Sequence, residues 1–294
     1  MTQIAGYIIH RKVAESGCAE IFEATNVDTK KRVAIKLLSE HQITNKTEQK
    51  RILNEGSIGM RLRHSEHLVN TQKVGLLGSR PYIIFDYIEG RTLREVIREE
   101  KMLPEREALL LAQALGQAMR HIHEVGLLHK DVKPDNVMFA HAGGIKLIDF
   151  GFAETVSSVR YSFFGRTLEG SPAYMAPEFI RTKKPSPATD VYAIGCTLYE
   201  ALTGSVPYPG DSDRQLLEKQ TNMTLQATPI THFNAAVSPH TLRMVMTAME
   251  KDPAKRHKSS DEFLLDLARH PLVKDGLLNA PGKRLSVRTQ SPKV

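Results

Sequence analysis

The chain has 294 residues, 41% of them hydrophobic and 25% charged, with a formal net charge of +7. No uninterrupted apolar stretch reaches the length of a membrane span, and Cys18 and Cys196 are too far apart for a disulfide or metal-site spacing. The positive charge does not imply nucleic acid, because bases alternate with acids (Arg94, Glu95, Arg98, Glu99, Glu100, Lys101) and no finger or aromatic RNA-binding motif accompanies them.

Such a length favours a two-lobed or two-domain body. The basic surface reads as solvated and open to acidic partners. The opening residues lack a basic start, an apolar core and a small-residue cleavage site, so no signal peptide is expected, and a reducing, cytoplasmic setting is.

The first third reads as strands. Segments near 7–13, 18–25 and 31–38 cluster β-branched residues, and Asn26 to Lys31 supplies turn chemistry between two of them. A helix is expected over about 46–63, followed by strands within 67–77 and 80–88. After Gly90 the pattern becomes helical. Pro104 suits a first helical turn, and Leu111, Leu115, Ala118, Met119 and Ile122 then recur at helical spacing. The run from Asp190 is apolar around most of its circumference, which predicts a buried central helix. Ser259 with Glu262 resembles a capping box opening a last amphipathic helix to about His270. The final stretch loses periodicity and gathers Lys283, Arg284, Arg288 and Lys293 without an acid, as a flexible basic tail does. These changes divide the chain into 1–89, 90–275 and 276–294.

Three segments carry chemistry. Val33-Ala34-Ile35-Lys36 ends an apolar strand on a lysine, which alone is common. His129-Lys130-Asp131-Val132-Lys133-Pro134-Asp135-Asn136 is more specific: Asp131 can accept a hydroxyl proton, and the Asn136 carbonyl oxygen suits a hard cation. Ile145 to Gly151 reads as a strand leaving through Asp149, Phe150 and Gly151, with Asp149 positioned as a second cation ligand.

In this order the segments resemble the eukaryotic-type serine/threonine protein kinase superfamily, in a bacterial-like form. The resemblance continues through Gly170 to Glu178, Asp190 to Gly195, and Asp252-Pro253 with Arg256, and covers about residues 7–270. It implies an α+β bilobal protein kinase fold: a small N-terminal antiparallel sheet lobe with one helix and a larger, mostly helical C-terminal lobe. It also implies transfer of the ATP γ-phosphate to a Ser or Thr hydroxyl of a protein substrate, with Mg2+ and Mn2+ as an alternative.

By this resemblance Lys36 binds the α- and β-phosphates and is held by Glu55, while Asp131 is the catalytic base or hydroxyl orienter. Lys133 neutralises the γ-phosphate, and Asn136 and Asp149 coordinate the metal. Val13, Ala14, Ser16, Gly17, Ala19 and Ile21 form the phosphate-covering loop. Ala34, Phe85, Asp86 and Ile88 surround adenine. Glu178 and Arg256 form a structural ion pair, and Asp190 braces the catalytic loop. The Ser/Thr preference rests on Lys133 and is supported by Ser171.

Several positions depart from the family pattern. Ala14, Ser16 and Ala19 replace glycines, so each added Cβ limits approach to phosphates. Cys18 at the loop tip is either a small filler or a redox-sensitive thiol. Lys130 replaces an arginine whose bidentate contact to an activation-loop phosphate it cannot reproduce, so Thr167 need not be a strict switch. Gly56 and Gly59 weaken the 46–63 helix by about 1 kcal/mol each, leaving compensation by Met60 or a mobile helix as the alternatives. Ser286 is an autophosphorylation candidate. The rival readings are a nucleotide-binding pseudokinase scaffold and a small-molecule kinase, against which the Gly170–Glu178 segment argues.

Overall fold

The computed structural model of the protein describes residues 3–156 and 168–276, and the chain divides into two compact units. Thr167, Ser286 and the expected basic tail beyond Gly276 lie outside the described residues.

The first unit comprises residues 1–89 with 148–153. Its strands are β1 (Gln3–Ile4), β2 (Tyr7–Glu15), β3 (Ala19–Asn26), β4 (Arg32–Leu38), β5 (Thr71–Leu77) and β6 (Arg80–Asp86), in the sheet order β1-β2-β3-β4-β6-β5. Every neighbouring pair is antiparallel. Asn26 accepts from the amides of Asp28 and Thr29 at 3.0 and 2.8 Å, which makes the expected turn an Asx turn. The strand expected from 67 begins only at Thr71.

Alternation along β4 sends Val33, Ile35 and Leu37 into one apolar layer with Ile4, Tyr7, Ala24, Tyr82 and Ile84. Ala34 and Lys36 therefore face the other side. Helix α1 (Lys46–Arg61) starts at Asn45, whose side chain accepts from the amides of Thr47 and Glu48, and it packs on β5 and β6.

The second unit comprises residues 90–147 and 154–294. After β7 (Gly90–Thr92), helix α2 (Leu93–Glu100) opens with a capping box between Thr92 and Glu95. Helix α3 (Glu105–Glu124) buries Leu111, Leu115, Ala118, Met119 and Ile122, the residues that its spacing predicts. Pro104 precedes it at the cap position rather than within the first turn. The short strands β8 (Leu127–Leu128), β9 (Val137–Ala140), β10 (Ile145–Leu147) and β11 (Glu154–Thr155) form the sheets β10-β9-β7 and β11-β8.

Helix α4 (Pro177–Thr182) precedes α5 (Pro187–Thr203), in which every residue from Ala188 to Thr203 is buried. This is the central helix, and α3 packs against it. Helices α6 (Asp213–Thr221), α7 (Ile230–Phe233), α8 (Pro239–Ala248), α9 (Ser260–Ala268) and α10 (Pro271–Lys274) complete the described unit. Ser259 caps α9 by accepting from the Glu262 amide, but Glu262 returns its carboxylate to the amide of Lys258, so the expected reciprocal box is not made. Among the described residues no helix is long and apolar enough to cross a membrane.

Candidate active site

In the first unit the segment 13–21 is the hairpin end of β2 and β3. Val13 and Ala14 belong to β2, Ala19 and Ile21 to β3, and Ala14 pairs with Ile21. Ser16 donates its amide to the Ala19 carbonyl at 2.8 Å, and its hydroxyl accepts the Ala19 amide at 3.1 Å. Ser16 and Ala19 thus spend their amides inside the hairpin, leaving those of Gly17 and Cys18 at the tip. A Cβ built on Gly17 would meet nothing within 4 Å, so there is space there for a phosphate. Burial first, then Glu48, pushes the Cys18 thiol up, against any reactive thiolate.

Lys36 is 9% and Glu55 1% exposed. The ammonium donates to both Glu55 oxygens at 2.8 and 2.7 Å and lies 3.5 Å from Oδ2 of Asp149. Burial opposes the charge on Lys36, yet Glu55 and Asp149 outweigh it and raise the ammonium above the usual lysine range. Burial likewise pushes Glu55 up to about 7, with Lys36 pulling the other way. The other Asp149 oxygen accepts the Gly151 amide at 2.7 Å. A Cβ on Gly151 would stand 3.0 Å from that oxygen and 3.5 Å from Glu55, so glycine permits the crowding of two carboxylates.

Gly56 and Gly59 have a packing reason that the sequence does not display. A Cβ on Gly56 would meet Val74 at 2.6 Å, and one on Gly59 would meet the Thr71 hydroxyl at 2.1 Å. The glycines let α1 lie close on β5 and β6, with Glu55 carried on the same helix. Close packing is thus a third account of these glycines beside a mobile helix and compensation by Met60. Along β6, Ala34 pairs with Phe85 and Val33 with Asp86. Phe85 is buried, Asp86 is exposed and accepts from Asn70 and Gln72, and Ile88 follows the strand end, half-buried.

In the second unit Asp190, wholly buried in α5, accepts the amides of His129 and Lys130 at 3.0 and 2.8 Å and the His123 ring at 2.9 Å. Burial alone would raise this carboxyl, but His123 and those amides hold it below the usual range. The loop is thereby pinned, with Lys130 at φ +68°.

Asn136 donates to the Asp131 carbonyl at 2.9 Å and to its Oδ2 at 3.0 Å. Lys133 bridges Oδ2 of Asp131 at 2.8 Å and the Ser171 hydroxyl at 2.7 Å. Oδ1 of Asp131 is buried and has no hydrogen-bond partner among the described residues. Gly170, at φ +122°, lies against this loop; a Cβ there would come within 2.9 Å of the Lys130 carbonyl and 3.8 Å of that Oδ1.

Lys130 is paired with Glu154 at 2.9 Å and with Glu169 at 3.8 Å. Arg256 donates to both Glu178 oxygens, at 2.7 and 3.0 Å. Sequence reasoning missed one network: Arg94 contacts Asp135, Glu200 and the Tyr174 hydroxyl. Its signal was Glu200, a lone acid on an otherwise apolar stretch of α5.

Asp149 in the first unit and Asn136 in the second each offer an oxygen of the kind a hard divalent cation takes. With its amide nitrogen committed to Asp131, Asn136 has its carbonyl oxygen left to offer, and the Asp149 side chain is 36% exposed. Among the described residues no group of three or more His, Cys, Asp or Glu side chains could hold a metal alone. Carboxylate and amide oxygens are hard donors, which suit a divalent cation that keeps water and phosphate among its ligands.

A family model described as "Protein kinase domain" matches residues 7–272. The chain is 31% identical over 271 residues to the probable serine/threonine-protein kinase PknB of Corynebacterium glutamicum, covering 90% of this chain and 42% of that protein. It is 29% identical over 261 residues to the serine/threonine-protein kinase PrkC of Bacillus subtilis, covering 89% of this chain and 40% of that protein. It is also 33% identical over 259 residues to the hormonally up-regulated neu tumor-associated kinase homolog A of Xenopus laevis, covering 86% and 36% respectively. The chain thus spans about two fifths of the length of the curated relatives it matches.

Proposed function

This chain belongs to the protein kinase family, and from that premise we propose that it transfers the γ-phosphoryl group of ATP to a serine or threonine hydroxyl of a protein. The observation that carries the reading is the state of Asp131. One oxygen is held by Lys133 and Asn136, and the other is left without a partner among the described residues. A carboxylate so divided can be oriented through one oxygen while the other accepts the hydrogen of an incoming hydroxyl.

Lys36 then binds the α- and β-phosphates through an ammonium that its carboxylate neighbours keep charged, with Glu55 fixing its direction. The free tip amides of Gly17 and Cys18 contact phosphate oxygens, the flanks Val13, Ala14 and Ile21 lie over the nucleotide, and Ala34, Phe85, Asp86 and Ile88 meet adenine. Asn136 and Asp149 hold Mg2+, with Mn2+ as the alternative; bound there, the ion neutralises phosphate charge. Asp131 orients the hydroxyl and takes its proton, while Lys133 offsets negative charge on the transferred group. The contact from Lys133 to Ser171 supports a Ser/Thr acceptor, because it ties the phosphate-neutralising lysine to the segment beside Asp131. A complete set of Lys36, Glu55, Asp131, Asn136 and Asp149 gives no support to a scaffold without turnover. Both cysteines are free thiols, in keeping with a reducing cytoplasmic setting.

The test is transfer of radiolabel from ATP to a generic basic protein, followed by phosphoamino-acid analysis. Labelled phosphoserine or phosphothreonine is expected, with at least a hundredfold loss in Asp131→Asn, the order of a general-base contribution. Equal labelling by Asp131→Asn would refute the assignment.

A further inference from the structure

Within the second unit a cavity of about 410 Å³ is lined by Arg94, Arg98 and Lys101 on the α2 side and by Glu200, Thr203 and Gly204 at the end of α5. Its charges do not cancel. Arg94 and Glu200 are spent on each other, and Arg94 is further held by Asp135 and Tyr174. Arg98 and Lys101 remain, both exposed, and neither has an acidic partner among the described residues.

The acids of α2 do not serve them. Glu95 is used by the backbone and hydroxyl of Thr92, while Glu99 and Glu100 pair with Arg91. Two positive charges thus border the cavity with no acidic side chain to neutralise them among the described residues; the Lys101 ammonium donates only to the Arg98 carbonyl, at 3.3 Å.

The backbone here is unusual as well. Lys101 is a non-glycine residue at φ +70°, where its amide closes α2 onto the Ile97 carbonyl. Its own carbonyl lies so close to Gly204 that a Cβ there would stand 2.5 Å away. Holding a lysine in the left-handed region costs free energy that local propensity does not return. The Lys101 side chain lines the cavity while its ammonium donates to the Arg98 carbonyl in the last turn of α2.

The cavity is also close to the chemistry. Arg94, in its wall, reaches Asp135 at 3.2 Å, and Asp135 adjoins Asn136, whose amide holds Asp131.

Resting on the kinase reading above, we propose that this cavity recognises an anionic side chain of the protein substrate, a carboxylate or a phosphomonoester, a few residues along from the phosphoacceptor. Arg98 and Lys101 are the specificity-determining residues. Arg94, by neutralising Asp135 and Glu200, removes the negative charge that would otherwise repel such a group.

The experiment measures steady-state kinetics of the full chain on a neutral serine peptide and on derivatives with Glu, phosphoserine or Lys at each flanking position in turn. Glu at one position, or two neighbouring ones, is expected to raise kcat/KM about threefold to tenfold through KM, the range of one to two exposed ion pairs. Phosphoserine should exceed Glu there if the site takes a phosphomonoester, and only match it if the site takes any carboxylate-sized anion. The advantage should vanish in Arg98→Ala/Lys101→Ala and turn into a preference for Lys in Arg98→Glu/Lys101→Glu, a gain that misfolding cannot mimic. It should also fade as salt is raised. An anionic preference unchanged by charge reversal, or none in the wild type, would overturn the proposal while turnover of the neutral peptide leaves phosphotransfer standing. Absence of turnover on every peptide would overturn both.

Discussion

Replacing Gly59 by alanine separates a packing role for the α1 glycines from a role in mobility. The added Cβ would lie 2.1 Å from the Thr71 hydroxyl and needs about 1.3 Å more to reach an ordinary 3.4 Å contact. Thr71 is wholly buried, so it has little room to yield, and the helix must move. A shift of that size along the Lys36–Glu55 direction would lengthen contacts of 2.7 and 2.8 Å to about 4 Å, past hydrogen-bonding range.

Helix propensity favours alanine by about 1 kcal/mol, while overpacking costs about 1–3 kcal/mol. The net destabilisation is therefore only about 0–2 kcal/mol, but misplacing Glu55 by an ångström lowers kcat/KM for ATP by up to about a hundredfold. Thermal unfolding and an ATP titration of the purified variant measure the two effects. Thr71→Ala should rescue Gly59→Ala, because it removes the contacts at 2.1 and 3.4 Å and leaves only the one at 3.0 Å. The rescue loses no hydrogen bond, since the Thr71 hydroxyl has no partner among the described residues. A Gly59→Ala protein both more stable and fully active, or strictly additive effects in the double variant, would refute the reasoning.

Because Lys130 is already paired with Glu154 and Glu169, phosphatase-treated protein should keep most of its activity, and Thr167→Ala should stay within about fivefold of wild type, the scale of one modest ion pair. Complete inactivity of either preparation would contradict this. His270 is buried and held below its usual pKa first by burial and also by His240, with Glu105 opposing; its Nδ1 accepts the Leu272 amide. The native state therefore binds fewer protons here than the unfolded chain, so this stabilisation is complete above pH 6.5 and is lost on acidification below it. A melting-temperature profile from pH 7.5 to about 5 should be flatter in His270→Gln, and an unchanged slope would count against the assignment. Cys18 should alkylate more slowly at neutral pH than an unshielded thiol, since burial and Glu48 keep it protonated; faster alkylation would restore the reactive-thiol alternative.

Local chemistry was sufficient for the elements whose burial is periodic. The spacing of Leu111, Leu115, Ala118, Met119 and Ile122 identified a helix face, and the apolar circumference after Asp190 identified a buried helix, because each pattern is written in consecutive residues. The family likewise was legible in the order of Lys36, Asp131, Asn136 and Asp149. The reciprocal bond of Glu262 was not, because Lys258 and Ser259 offer adjacent amides and only the turn geometry chooses between them.

What the amino-acid order determined by itself was the kind of molecule and the identity of its reactive groups, since motif residues bring their chemistry wherever they sit. Folding decided what each group faces. Gly59 reads as a helix weakness until Thr71, twelve residues on, is found against it; Glu200, which the sequence reading passed over, gains its role only when Arg94 arrives from another helix. Both depend on contacts between segments distant in sequence, set by close packing and by the cost of burying an unpaired charge, and neither force leaves a mark in a local window.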